Sequence, residues 1–432
     1  MHSVLAGPES AGKTATVTLP DNRRFSRQSL AKRPHPAKNK LMDSIYLDHN
    51  ATSPTHPEVV QAMDRCYAQR YANPASQHQP GQKARKVLQD ARERIAEILG
   101  ADLTGNRPDR LVFTASATEA NNLVLLGIAR AYQTGPGQVI ISGIEHSSVI
   151  EPAEHLMEEG FQLDTLAVTS DGVVRTELLP ELLSEQTRVV SVLLGNHDTG
   201  VLQPVAELAR LCNDAGVPLH SDAVQVAGKL PLKFRELGVA ALSIGAHKFC
   251  GPLGIGALIL RDGVPIRPLI YGGHQQAALR PGTESVALVV GMLTALEIWQ
   301  RDHEAHTQHL TALRDRFEAG LKAGIPDLAI NGAGAERLPH TSNVAFGGLD
   351  GQMLLMALDI AGVACSVGSA CSSGSVELSP TLLAMGLPKT VVSSSLRFSL
   401  GATTTEAEID EAVRRIVHVY NELGGNQPFD VL

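Results

Sequence analysis

The chain has 432 residues, enough for two or three domains of ordinary size. Hydrophobic residues make up 43% and charged residues 19%, the balance of a globular protein with a sizeable core. A net charge of −8 gives no reason to expect nucleic acid or an anionic membrane as partner, and no apolar run approaches the roughly 20 residues of a membrane span.

In chain order, residues 1–43 come first and differ in composition from the rest. Between Asn22 and Lys40 lie seven Lys/Arg, two prolines and no acid, so this stretch is expected to be a disordered basic extension. It lacks the apolar core of a secretory signal; an organellar transit peptide is the minor alternative. Within it GPESAGKT (Gly7–Thr14) fits the phosphate-binding P-loop pattern. A working P-loop needs a buried strand before it and a helix after it. Only six residues precede this one, and a β-branched stretch follows, so it reads as a chance match.

From Tyr46 onward short aliphatic runs alternate with helix-like stretches. Strands are expected at Leu111–Thr114, Val139–Ser142, Val189–Leu194, Val217–His220, Ala240–Ile244 and Ile255–Leu260. Helices are expected at Glu119–Ala131, Pro152–Glu159 and Pro204–Ala215. That alternation predicts an α/β fold with a mainly parallel sheet covered on both faces. Past Trp299 a charged helix, Arg301–Ala323, leads to strands at Ser342–Phe346 and Ser395–Leu400, the mark of a second, smaller α/β domain. The expected division is 58–300 for the large domain, with 44–57 and 301–432 in the small one. The stretch Ser366–Ser375, SVGSACSSGS, is too rich in Gly and Ser for a regular element.

Ligands of such sheets bind at the carboxyl ends of the strands. There the sequence places ASATEANN, with Ser116 and Thr118 at a helix start; Glu145–His146; Asn196, His197 and Asp198; Asp222 and Gln225; and His247–Lys248. A phosphate cradle, an imidazole, a carboxylate and a lysine on one edge are the parts that hold pyridoxal phosphate. The lysine forms a Schiff base with its aldehyde, and the carboxylate keeps the ring nitrogen protonated. Taken singly, each has a plainer reading: a surface lysine, an N-cap aspartate, a satisfied core histidine, a capping threonine. Those readings do not explain why all four fall at successive strand ends.

The sequence resembles the cysteine desulfurases of the class V aminotransferase family, the type with a long catalytic-cysteine loop. The resemblance runs through YLDHNATSP (Tyr46–Pro54), NPASQH, TASATEANN, IEHSSV, NHDTGVLQP, HSDAVQVAGK, GAHKFCGPLGIG, RPGTE (Arg280–Glu284), VGSACSSGSVELSP and SSSLRFSLG. It implies pyridoxal phosphate-dependent transferase fold type I, with a seven-stranded sheet in the large domain. It also implies that Lys248 carries the cofactor, Asp222 faces the ring nitrogen, Gln225 reaches the phenolic oxygen and His146 stacks on the ring. Thr118 with Ala117 and His247 would hold the phosphate, helped by Thr283 of a second subunit. Arg397 would clamp the substrate carboxylate, with Asn196 beside it. Two positions depart from the family pattern: His197 stands where a second asparagine is usual, and Gly245 where a serine is.

Cys371, in the Gly/Ser-rich loop, is implied as the nucleophile and as a transient iron–sulfur ligand; no resident metal is expected. Cys365 reads as core packing. The five cysteines (Cys66, Cys212, Cys250, Cys365, Cys371) are scattered without CxxC spacing, which suits a reducing, cytoplasmic setting. The implied reaction converts L-cysteine to L-alanine and leaves a persulfide on Cys371, for delivery to a sulfur-acceptor or scaffold protein by a homodimer. A selenocysteine lyase or another lyase or aminotransferase of the same scaffold is the nearest alternative. An ATPase dependent on Lys13 and an inert assembly partner are the more remote ones.

Overall fold

In the computed structural model, which describes residues 44–368 and 378–424, the aliphatic runs of the sequence become strands. They are β1 (Ile45–Tyr46), β2 (Arg110–Thr114), β3 (Gln138–Ser142), β4 (Gln162–Leu166), β5 (Thr187–Ser191), β6 (Leu219–Asp222), β7 (Ala241–Gly245), β8 (Gly256–Leu260), β9 (Leu328–Ile330), β10 (Thr341–Phe346), β11 (Val363–Ala364) and β12 (Ser395–Ser399). Seven of them form one sheet in the order β2-β8-β7-β6-β5-β3-β4. Only β8 runs against its neighbours, so β2, β3, β5, β6 and β7 all end on the same edge.

The physical reasons are local. Strands β3, β5, β6, β7 and β8 are buried along their whole length, as apolar runs covered by helices on both faces must be. The short Gly-rich connection from Gly245 to Gly256 leaves no length for a crossover helix, so β8 returns antiparallel. Edge strand β4, QLDTL, is mostly solvent-facing and polar, which hid it from a reading based on apolar runs.

Two helices extend beyond their expected bounds. The helix expected from Pro152 spans Ser147–Glu158, with the proline inside it. A proline cannot donate to the carbonyl four residues back. Here that carbonyl, of Ser148, accepts instead from Asn122 Nδ2 at 3.3 Å. The charged helix expected from Arg301 begins at Val286 and runs to Gly324, broken only at Asp302 (φ −134°, ψ 26°). Its first part buries Val289, Met292 and Ala295 in the core beneath the large sheet. Its second part buries Leu310, Leu313, Phe317 and Leu321 in another core, shared with Ile45, Leu47, β10, β12 and the helix Glu406–Glu422. Cys365 packs against that second core.

The second core holds a three-stranded antiparallel sheet, β12-β10-β9, and the parallel pair β1-β11. Ile45 lies opposite Val363, so the first described strand is completed by residues near the other end of the chain. Among the described residues no helix is long and apolar enough to cross a membrane.

Candidate functional site

Strand β2 delivers the chain to Ser116, which caps the helix Ala117–Ala129 by accepting from Glu119 N at 3.1 Å. The first amides of a helix have no intrahelical acceptor and favour an anion. Ala117 and Thr118 supply two of them, and Thr118 is exposed with its hydroxyl. The turn lies directly on β8: a Cβ on Gly256 would stand 2.5 Å from Ser116 C and 2.7 Å from Ala117 N. Gly256→Ala must therefore displace the turn. It is expected to cost about 1–3 kcal/mol in stability and to weaken phosphate-ligand retention, which thermal unfolding and equilibrium dialysis would measure. A Cβ on Gly245 would come within 3.3 Å of Ala117 Cβ, so the glycine there leaves room for the same turn.

Lys248 follows β7 in a single tight turn, Ala246–Phe249. Its Nζ donates to Asn50 O and, at 2.9 Å, to Ala51 O. Gln225 Nε2 donates to the same Asn50 carbonyl at 3.1 Å. His247 Nδ1 lies 3.2 Å from Thr52 Oγ1, and burial, reinforced by Lys248 and Lys229, holds this imidazole down to about 4. The segment 48–52 thus anchors three expected site residues at once.

A polar chain runs from Asp222 to His146. Asp222, the last residue of β6, accepts from Val224 N at 2.9 Å and from Asn121 Nδ2 at 2.7 Å. Asn121 Nδ2 also donates to Ser148 Oγ at 2.8 Å, and Ser148 Oγ lies 2.8 Å from His146 Nδ1. His146 is itself the N-cap of its helix, because Nδ1 accepts from Ser148 N at 3.1 Å. An Nδ1 that accepts from an amide carries no proton, so the neutral ring keeps its proton on Nε2. The His146 and His197 rings meet edge to face, 5.3 Å between centroids. Burial first, and with it the nearby cations Arg397 and Lys248, push His197 well below the ordinary histidine range.

Arg397 on β12 is buried. It donates to Asp48 Oδ1 at 2.8 Å, to His197 O at 3.1 Å and to Gly368 O at 3.1 Å, while its Nε meets no acceptor among the described residues. A guanidinium has five N–H groups, so a pair of donors remains for a carboxylate. Asp198 accepts from Asn343 Nδ2 at 2.6 Å and from Ser379 Oγ, and its carboxyl is raised by burial.

Not every expected residue joins this cluster. The Asn196 amide is spent inside its own turn: Oδ1 accepts from Asp198 N and Thr199 N, and Nδ2 donates to Ile144 O at 3.1 Å. Thr283 is exposed on the loop before Val286; the neighbouring Arg280 pairs with Glu119 at 2.8 Å, tying that loop to the capped helix. Cys371, Gly7–Thr14 and the extension 1–43 lie outside the described residues.

Several participants were not anticipated. Asp48 and Asn50 belong to YLDHNATSP, but nothing local shows that they meet residues 349 and 198 positions away. Asn121 was legible in principle, since it stands three residues after Thr118 on the same helical face. Glu145, wholly buried next to His146, accepts from Ser142 Oγ and from Leu193 N at 2.8 Å, and Oε2 has no partner among the described residues. Burial raises its carboxyl to about 8. The raised value means that the native state holds a proton the unfolded chain releases above about 4.5. Glu145 therefore costs stability as pH rises through that window to about 8, at up to about 1.4 kcal/mol per pH unit. Glu145→Gln, the neutral isostere, is expected to flatten this decline. Its melting temperature should overtake the parent's between pH 7 and 9.

The donor set fits pyridoxal phosphate: capped helix amides and a glycine-walled cradle for a phosphate, a buried carboxylate for a pyridinium, and a primary amine across from it.

Comparison with known proteins agrees. The model of the family described as aminotransferase class-V matches residues 45–412. The cysteine desulfurase IscS of Dictyoglomus turgidum is 37% identical over 385 residues, covering 89% of this chain and 96% of the relative. An IscS-like cysteine desulfurase of Mycobacterium tuberculosis is 40% identical, covering 85% and 94%. Among solved structures, a NifS-like protein superposes with a TM-score of 0.81 at 33% identity, covering 88% of this chain and all of that one. SspA in complex with cysteine superposes at 0.73 and 30%, covering 84% and 100%.

Proposed function

The chain belongs to the class V aminotransferase family and is a pyridoxal phosphate-dependent cysteine desulfurase, and on that premise we propose which of its residues carry the reaction. The observation that supports the assignment is the contact chain linking Asp222, His146, His197, Asn50 and Lys248 along one sheet edge, beside Arg397. When bound, pyridoxal phosphate supplies an aldehyde that condenses with amines and a ring that takes up electrons.

Thr118, Ala117 and His247 hold the phosphate, with Gly245 leaving the space and Thr283 contributed by a second subunit. Lys248 would carry the cofactor, and its amine would take the proton from the cysteine Cα. Asp222 accepts from the ring N–H; Asn121 fixes its orientation. Gln225 and His197 donate to the ring substituents, His197 as a neutral imidazole. Arg397 receives the substrate carboxylate on its uncommitted edge, and Asn196 shapes the turn that presents His197. His146 stacks on the ring and, with its proton on Nε2, hands protons between substrate and thiol.

Cys371 then takes the substrate sulfur. The Cβ–S bond breaks, a bond forms between the two sulfurs, Cβ gains a proton, and alanine leaves with a persulfide on Cys371. A sulfur acceptor must follow, since the persulfide has to be discharged before the next turnover. We place the enzyme in the cytoplasm as a homodimer. We also assign residues 58–300 to a large domain, with 44–57 and 301–432 in a small one.

The test is an anaerobic assay with L-cysteine and a reductant, following alanine and sulfide together. Matched release by the parent is expected, lost in Cys371→Ala with the cofactor retained. Alanine release that survives in Cys371→Ala would remove that residue from the chemistry.

A further inference from the structure

Lys248 also lines a second cavity, about 230 Å³ in volume, whose walls include none of Asp222, His146, Thr118 or Arg397. Its lining reaches exposed Asp302, at the break in the long helix. Lys229, Cys250, His340 and Trp299 line it with carbon-rich neighbours such as Phe249 and Leu310. A volume of that size exceeds a single water several-fold, at roughly 30 Å³ each.

The polar groups of this cavity are incompletely matched. Lys229 is 6% exposed, and its amine meets only uncharged partners, Gln225 Oε1 at 3.0 Å and His340 Nε2 at 2.8 Å. No carboxylate pairs with it among the described residues, and the nearby charges that act on it include the cations Lys248 and Arg397. Buried charges are ordinarily paired, and an amine without a counter-ion is held neutral. Asn50 Nδ2 donates to His197 O and Thr341 Oγ1, so Asn50 Oδ1 must accept from His340 Nε2 at 2.9 Å. The His340 proton is then on Nε2, and its fully buried Nδ1 meets no donor among the described residues. The Trp299 indole N–H meets no acceptor among the described residues.

The cavity therefore suits a small weak acid: one X–H to donate to His340 Nδ1, and an electron-rich atom to accept from Trp299 and Lys229. The cationic surroundings favour its anion, and the carbon and thiol lining favours a soft, weakly hydrated one. We propose that this cavity is a hydrosulfide subsite, in which hydrogen sulfide gives a proton to His340 Nδ1 as the Nε2 proton of that ring passes to the Lys229 amine, leaving HS⁻ beside the imidazole N–H and the ammonium. Protons and charge balance over the three groups, and no oxidant is needed. The proposal rests on the desulfurase reading, because reductive discharge of the persulfide generates this species.

Trp299 is the single tryptophan of the chain, so all tryptophan emission comes from the lining of this cavity. The holoenzyme is titrated anaerobically with sodium hydrosulfide, with alanine release from L-cysteine measured on the same preparation. A saturable change in Trp299 emission is expected in the parent. Its midpoint should rise at least ten-fold in Lys229→Met and in Ala295→Leu, which fills the cavity and leaves Lys229 in place. A linear response in the parent would overturn the subsite, as would an unchanged midpoint in both variants. Equal saturation by sodium iodide, which has no X–H, would overturn its assignment to hydrosulfide. Alanine release without a saturable response removes only the subsite; no alanine release removes the reading beneath it.

Discussion

Lys248→Ala is expected to lower alanine release from L-cysteine by at least about 10⁴-fold while the protein stays folded, since removing a group at the centre of a covalent mechanism costs about 10⁴ to 10⁶. The fold should survive because the lysine's partners are backbone carbonyls, and one of them, Asn50 O, keeps its second donor in Gln225. The discriminating readout is separate from turnover. Borohydride should fix pyridoxal phosphate covalently to the parent and not to the variant, as mass spectrometry of the intact chain would show. Covalent fixation in the variant would transfer the role to another amine, and Lys229, beside Gln225, would be the first to examine.

Arg397→Lys is the second large effect. The guanidinium holds Asp48, His197 O and Gly368 O in three directions and keeps a further edge for substrate, which a lysine ammonium cannot reproduce. We expect KM for L-cysteine to rise about 100-fold, with kcat reduced less, because the clamp grips substrate before and during the chemistry alike. Arg397→Ala should in addition destabilise by about 3–5 kcal/mol, since Asp48 would lose its buried partner. A steady-state comparison of the lysine variant and thermal unfolding of the alanine variant separate the two contributions. An unchanged KM would place the substrate carboxylate elsewhere.

Much of the fold could be read from the chain because a parallel sheet is written locally. Each of β3, β5 and β7 carries a short aliphatic run, while β6 (LHSD) is announced only by the Val217–Leu219 stretch that leads into it, and the residue types at their ends belong to one chemistry. The polar edge strand β4 and the short β9 carried no such signal. Nor could the sequence show that Pro152 sits inside a helix, since the compensating donor, Asn122, comes from a different one. At the candidate site, the residues proposed to hold the cofactor were singled out by their residue types at the strand ends and by the family resemblance. Those that hold them in place were not: Asp48, Asn50 and Ser148 act through contacts set by tertiary structure alone, and only Asn121 could have been found, from its spacing after Thr118.

The pairing of β1 with β11 has a consequence for how the protein is made. Asn50 N donates to Ser399 Oγ, 349 residues ahead, and Asp48 awaits Arg397 over the same interval. At about 5–20 residues per second, a ribosome needs roughly 20–70 s to supply those partners. For that interval the large sheet, complete once Leu260 has emerged, can already assemble, while Ile45 and Leu47 remain unsheltered. The nascent enzyme thus carries Lys248, the proposed cofactor lysine, well before the carbonyls of Asn50 and Ala51 are fixed against it. Premature loading with pyridoxal phosphate would meet an unfinished pocket. A chaperone that covers the first strand until translation ends would act on the most exposed apolar stretch of the intermediate.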